Sequence, residues 1–136
     1  MRLTFRASHR LTHARQFRAV YDAKLRKTIG VLTMFSKPNG LPHHRLGLAV
    51  GTPVGNAVVR GHAKRLIRES FRLDQHTLAR IEDEGATAMG GMDLVVRVRP
   101  GAFPDLEACR EAFRELVTQC CAEWQRRQSR ERRREE

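Results

Sequence analysis

Arg60, Lys64, Arg68 and Arg72 recur at every fourth position of the segment VGNAVVRGHAKRLIRESFR, Val54 to Arg72, and Arg65 falls beside them. On a helix turning ~100° per residue these five cations share one side. A row of fixed cations at this spacing neutralises phosphates along a nucleic-acid backbone. Val59, Ala63, Leu66, Ile67 and Ser70 fall within an arc of roughly 100° on the other side, with Phe71 at its edge. The segment therefore carries its own buried stripe. An ordinary amphipathic surface helix interleaves both signs of charge, whereas this one returns only Glu69. The pattern points to RNA or DNA binding rather than to a solvated face.

Chemistry by the polypeptide itself has little to stand on. The histidines His9, His13, His43, His44, His62 and His76 are scattered. His9 and His13 have a helical ligand spacing, but Thr12 reads as a helix cap, which leaves His9 outside the helix and without a third ligand. No glycine-rich loop leads from a strand into Lys-Ser or Lys-Thr. Glu82-Asp83-Glu84 splays around a helix and reads as a solvated turn rather than a metal site. The sequence thus predicts no catalytic residue, no metal site in the chain and no small-molecule substrate, and an autonomous nuclease ranks last.

The whole chain fits this picture. Its 136 residues suit one domain with one modest core. A formal charge of +11 and an isoelectric point near 11.1 call for a polyanionic partner. No apolar run approaches the ~20 residues needed to span a bilayer, and the basic N-terminus lacks a secretory segment. Cys109, Cys120 and Cys121 are odd in number, and two are adjacent, so free thiols in a reducing cytoplasm are expected. The expected organisation is one RNA-binding domain over residues 1–124 and a charged tail over 125–136, frayed helix or disordered.

The elements that must position the basic segment follow in order. Residues 1–11 form a basic arm. Thr12 caps a first helix whose Ala14, Phe17, Val20 and Tyr21 recur at helical spacing. Phe17 and Tyr21 either dock in the core or stay partly exposed beside a groove where single-stranded bases stack. Lys24 to Lys27 is a basic linker, and Thr28 to Phe35 reads as a strand. Arg45 to Val50 is a second strand, antiparallel to the first through the Pro- and Gly-rich loop between them. Gly47 and Gly51 mark a bend or a close backbone approach. After the basic helix, Asp74 to Gly91 is a helix end and a flexible connection.

Asp93 to Arg99 alternates as a third strand, with Leu94, Val96 and Val98 on one face and Val95, Arg97 and Arg99 on the other. Those two arginines either extend the electropositive surface or belong to a salt-bridged outer face. Asp105 caps a last helix through about Arg127, with an apolar stripe of Leu106, Cys109, Phe113, Leu116, Val117, Cys120 and Trp124. Trp124, at the end of that stripe, is expected half-exposed. The order α-β-β-α-β-α gives an α/β (α+β) sandwich on a small sheet.

Gly55-Asn56-Ala57-Val58, Arg60, Lys64-Arg65-Leu66-Ile67-Arg68-Glu69 and Phe71 together resemble the signature helix of the bacterial ribonuclease P protein component, the protein subunit of the ribozyme that matures tRNA 5′ ends. That family usually has Arg-Asn-Arg where this chain has Arg60-Gly61-His62, and a Ser-Lys-Lys run where it has Gly51-Thr52-Pro53. The changes remove up to three positive charges and place a glycine inside a helix, at a cost of ~1 kcal/mol relative to alanine.

The resemblance runs from about Arg10 to Ala122. It implies a fold like the second domain of ribosomal protein S5, with an unusual left-handed βαβ crossover. It implies that the partner RNA is the catalyst, working with Mg²⁺ held mainly by that RNA, and that one protein binds per RNA. Asn56, Arg60, Gly61, His62, Lys64, Arg65, Arg68 and Arg72 would meet the catalytic RNA. A cleft of Phe17, Tyr21, Phe35, Thr33 and Arg97 would take the single-stranded 5′ leader of precursor tRNA. The alternative is a ribosomal or other structural RNA-binding protein with no part in catalysis. A DNA-binding module is disfavoured for want of a second recognition helix.

Overall fold

The computed structural model describes residues 5–82 and 90–135. Three helices and four strands follow in the order α1 (Ala14–Asp22), β1 (Arg26–Ile29), β2 (Leu32–Pro38), β3 (Arg45–Ala49), α2 (Ala57–Asp74), β4 (Met92–Val98) and α3 (Leu106–Glu135). The result is a mixed α+β sandwich. Its sheet has the spatial order β1-β2-β4-β3.

Two strand expectations are corrected. Residues 28–35 are not one strand. Gly30, at φ +58°, turns the chain, so Arg26–Ile29 pairs antiparallel with Leu32–Phe35 as a hairpin. Glycine adopts that left-handed conformation at little cost, which lets the break fall inside a β-prone run. The basic linker 24–27 is thus partly the sheet's edge strand. Nor is β3 the neighbour of β2. β4 inserts between them, antiparallel to β2 and parallel to β3. A parallel pair needs a crossover, and α2 with its flanking turns supplies it as a β3-α2-β4 unit.

The sheet's two faces bury different layers. Leu32, Met34, Leu94, Val96 and Val98 pack with Ile67 and Phe71 of α2 and with Phe113, Leu116 and Val117 of α3. Across the sheet, Val95 packs with Leu11 and with Val20 of α1, flanked by Phe17, Tyr21, Phe35 and Ala49. The alternation expected for β4 is therefore met. Two carboxylates tie neighbouring elements within a layer. Asp93 of β4 accepts Arg45 of β3 through both oxygens at 2.7 Å. Asp74, at the end of α2, accepts Arg110 at 2.8 Å and Arg114 at 3.3 Å from α3. The Arg110 hydrogen bond holds the Asp74 carboxyl below the usual carboxylate range.

Cap positions differ in part. The cap of α1 is His13 rather than Thr12, because Gln16 turns back and its Oε1 accepts the Thr12 and His13 N–H groups at 2.8 and 3.0 Å. α2 begins at Ala57, not Val54. Thr52–Val54 forms a short 3-10 turn, and Asn56 Oδ1 accepts the Val59 N–H at 3.0 Å. Val59 is 44% exposed and lies off the buried stripe, since the first turn of α2 overhangs the core. For α3 the Asp105 cap holds, its Oδ1 accepting the Ala108 N–H at 2.8 Å.

Cys109, Cys120 and Cys121 are all buried along α3 as free thiols. Burial pushes the Cys121 thiol up to about 12, as suits an inert core residue. Trp124 is half-buried, and its indole N–H donates to Ser36 Oγ at 3.0 Å. The charged tail continues α3 as helix to Glu135. Of the Glu82-Asp83-Glu84 triplet, Asp83 and Glu84 lie outside the described residues.

Candidate nucleic-acid interface

On α2 the cations stand as the sequence arranges them. Arg65, Arg68 and His62 are exposed, and Arg60, Lys64 and Arg72 are half-buried. Arg72 is bound to Glu69 one turn back, which sets a counter-charge beside it, and the same contact holds the Glu69 carboxyl low. Arg60, Lys64, Arg65 and Arg68 have no carboxylate partner among the described residues. Arg60 is aimed by a hydrogen bond from Nε to the Gly55 carbonyl at 3.2 Å. A row of cations without counter-charges exposes a field that a phosphate backbone neutralises.

Asn56 does a structural job here, since its side-chain oxygen caps the helix. Gly61 faces open space, for a Cβ built there meets nothing within 4 Å. The ridge also has a neighbour that sequence reasoning left out of the site. Arg10, in the N-terminal arm, is tied to β3 by an isolated bridge to Leu46 and stacks over the Phe5 ring at 4.6 Å. It lines a hollow of about 240 Å³ together with Phe17, Lys64 and Arg68. The arm therefore adds a cation to the ridge. Its only signal in the sequence is the basic spacing of Arg2, Arg6 and Arg10.

On the sheet's other face a groove of about 520 Å³ is lined by Thr33, Phe35 and Arg97, joined by Arg26, Thr28, Ala49 and Arg99. Tyr21 stands edge-on to Phe35, ring centroids 4.8 Å apart. Tyr21 and Arg97 share an adjoining hollow with Ala49, Val50 and Gly51. Thr33 is nearly buried, and its hydroxyl is bonded to that of Thr28 at 3.0 Å. The structure thus brings together Tyr21, Phe35, Thr33 and Arg97. Phe17 packs on the same Leu11, Val20 and Val95 cluster as Tyr21 and Phe35, but it lies against Gly47 and lines the ridge-side hollow instead of the groove. Arg26 is not legible as a groove residue in the sequence, where its short basic strand reads as a linker.

The described residues do not fit a Mg²⁺ site. Hard cations take several oxygen ligands, and the two buried carboxylates, Asp74 and Asp93, are both engaged by arginines. His9 and His13 do not share a helix. His9 ends a 3-10 turn and stacks edge-on against His43 at 4.4 Å.

A ridge of unpaired cations on one layer and an arginine-lined aromatic groove on the other define a nucleic-acid-binding α+β protein. The chain belongs to the Ribonuclease P family, whose profile matches residues 5–121. It is 44% identical over 99 residues to the ribonuclease P protein component of Pseudomonas aeruginosa (strain LESB58), covering 71% of this chain and 65% of that one. It is 38% identical over 96 residues to the component of Chromobacterium violaceum, covering 70% of each. The matched stretch thus spans about two thirds of the length of these relatives. Among solved structures, the RNase P protein from Thermotoga maritima superposes with a TM-score of 0.67 at 24% identity, over 81% of this chain and 96% of that one. The Staphylococcus aureus RNase P protein superposes at 0.65 and 21%, over 81% and 93%. At these identities the two structures speak for the fold.

Proposed function

We propose that this chain is the protein subunit of a ribonucleoprotein endoribonuclease, ribonuclease P, which hydrolyses precursor tRNA to make mature 5′ ends. The catalytic centre lies in the partner RNA. The α2 ridge of Arg60, Lys64, Arg65 and Arg68 lies against that RNA and screens the repulsion between catalyst and substrate. The groove around Tyr21, Phe35 and Arg97 takes the single-stranded 5′ leader, with aromatic faces for bases and arginines for phosphates. In this reading Mg²⁺ is held mainly by the RNA, one protein serves each RNA, and the complex works in the cytoplasm. Among the described residues no helix is long and apolar enough to cross a membrane.

The observation that carries the reading is the separation of two binding surfaces on one small sheet. Charge without counter-charge lies on the helical layer, and aromatics with arginines lie on the opposite face. A subunit that must hold two RNAs at once needs such a division. The test is cleavage of precursor tRNA by the cognate catalytic RNA at low Mg²⁺, with and without this protein. Stimulation that favours precursor over mature tRNA supports the reading. Tight RNA binding without stimulation assigns the chain to structural RNA-binding proteins instead.

A further inference from the structure

Beyond Trp124 the chain carries a feature outside the stretch matched by the family, which ends at residue 121. α3 runs on as helix to Glu135. From Gln125 onward that adds about 15 Å of rod at 1.5 Å per residue. Arg126, Arg127, Arg130, Arg133 and Arg134 fall within an arc of roughly 120° on it, while Glu131 and Glu135 lie beyond that arc. Arg126 and Arg127 share Glu123, and Arg127 also covers the Trp124 ring at 5.1 Å. Arg130, Arg133 and Arg134 are exposed and form no ion pair among the described residues.

A solvated helix end gains from alternating charges at i, i+4. This one sets Arg126 against Arg130, and Arg130 against Arg134, so like charges repel along one line. That arrangement is unfavourable in water and favourable against a polyanion. The position matters as much as the charge. The apolar stripe of α3 packs beside α2 on one face of the sheet, and the Trp124–Ser36 bond seats the start of the tail on that same layer. The rod therefore extends the layer that bears the ridge, on the opposite side of the sheet from the Phe35 groove.

We propose that Arg130, Arg133 and Arg134 form a second phosphate-binding element, gripping the same catalytic RNA as the α2 ridge. The inference rests on the ribonuclease P reading and adds to it a contact outside the matched family region. The full chain is compared with a variant carrying Arg130→Ala, Arg133→Ala and Arg134→Ala, and with one carrying lysine at the three positions. Affinity for the cognate catalytic RNA and for precursor tRNA alone is measured across a salt series. The alanine variant is expected to lose about two to three units of salt slope on the catalytic RNA and roughly tenfold or more in affinity. The lysine variant should recover both, and binding of precursor tRNA alone should be unchanged.

An unchanged slope overturns the proposal, as does a lysine variant as weak as the alanine one, or a loss confined to precursor tRNA. If the intact chain stimulates cleavage while the alanine variant binds like the parent, only the tail assignment falls. If the intact chain does not bind the catalytic RNA, both readings fall.

Discussion

The ring of Phe17 fills the space that a side chain at Gly47 would need: a Cβ at position 47 would lie 2.7 Å from Phe17 Cζ and 3.1 Å from Leu11 Cβ. Helix α1 thereby rests directly on β3, which fixes how far Tyr21 stands from the sheet. Gly47→Ala should force the ring aside and cost about 1–3 kcal/mol of stability, as overpacking does. Combined with Phe17→Leu, which removes part of the clash, the loss should be less than the sum of the two single losses. Additive losses in urea unfolding would show that the two residues do not bear on each other.

The groove and the ridge should fail in different ways. Tyr21→Ala removes the ring that stands on Phe35, and Arg97→Ala removes an exposed cation beside it. Both should lower the preference for precursors with long leaders while leaving affinity for the large RNA intact. Loss of one stacking partner should cost about 1–3 kcal/mol of leader binding. Arg60→Ala and Lys64→Ala should instead weaken binding to the catalytic RNA and flatten its salt slope by about one unit each. Equal losses on precursor tRNA and on the catalytic RNA from Tyr21→Ala would make that ring a core residue only.

Gly61 sits mid-helix with nothing near the place of its missing side chain. Gly61→Ala should therefore stabilise the protein by roughly 0.5–1 kcal/mol and leave RNA affinity unchanged. Gly61→Asn with His62→Arg should restore one fixed charge and steepen the salt slope by about one unit. A destabilised Gly61→Ala would mean that the glycine serves a bend in α2.

The layers of this fold were legible because its periodicities are strong. Ala63, Ile67, Ser70 and Phe71 are buried on α2 as their spacing requires, and β4 sends Leu94, Val96 and Val98 to one face of the sheet and Val95 to the other. Strand pairing was not legible. β2 and β3 are joined by a turn-rich loop that reads like a hairpin, and only the tertiary structure slips β4 between them. The hairpin at Gly30 was hidden because both its arms are β-prone. Of the site, the ridge was read from charge spacing alone, and Tyr21, Phe35 and Arg97 came together as expected. Helical spacing groups Phe17 with Tyr21, and both do pack on Leu11, Val20 and Val95, but the backbone gap at Gly47, which spacing does not reveal, turns Phe17 toward the ridge-side hollow. Arg10 and Arg26 were missed because their positions depend on β-bridges across the chain.

Acid should loosen the end of the sheet where α2 gives way to β4. His44 is buried, with Nε2 donating to the Ala79 carbonyl at 2.8 Å and Nδ1 accepting the Met92 N–H at 3.0 Å. Only the neutral ring can do both, and burial pushes its pKa down to about 4 from the ordinary 6.5. The folded state thus binds fewer protons than the unfolded chain between those values. Stability from this group is complete above about pH 6.5 and is lost progressively as the pH falls toward 4. The loss is on the order of 3 kcal/mol across that window. His9, also depressed by burial, acts with the same sign. Asp74, held low by Arg110, gives way only at more acid pH. Urea unfolding from pH 7.5 to 4.5 should show the decline, and the His44 imidazole signals in NMR should stay those of the Nε2–H tautomer until near pH 4. A His44 resonance that titrates near 6.5, or a stability flat over this range, would remove His44 as the acid-sensitive joint.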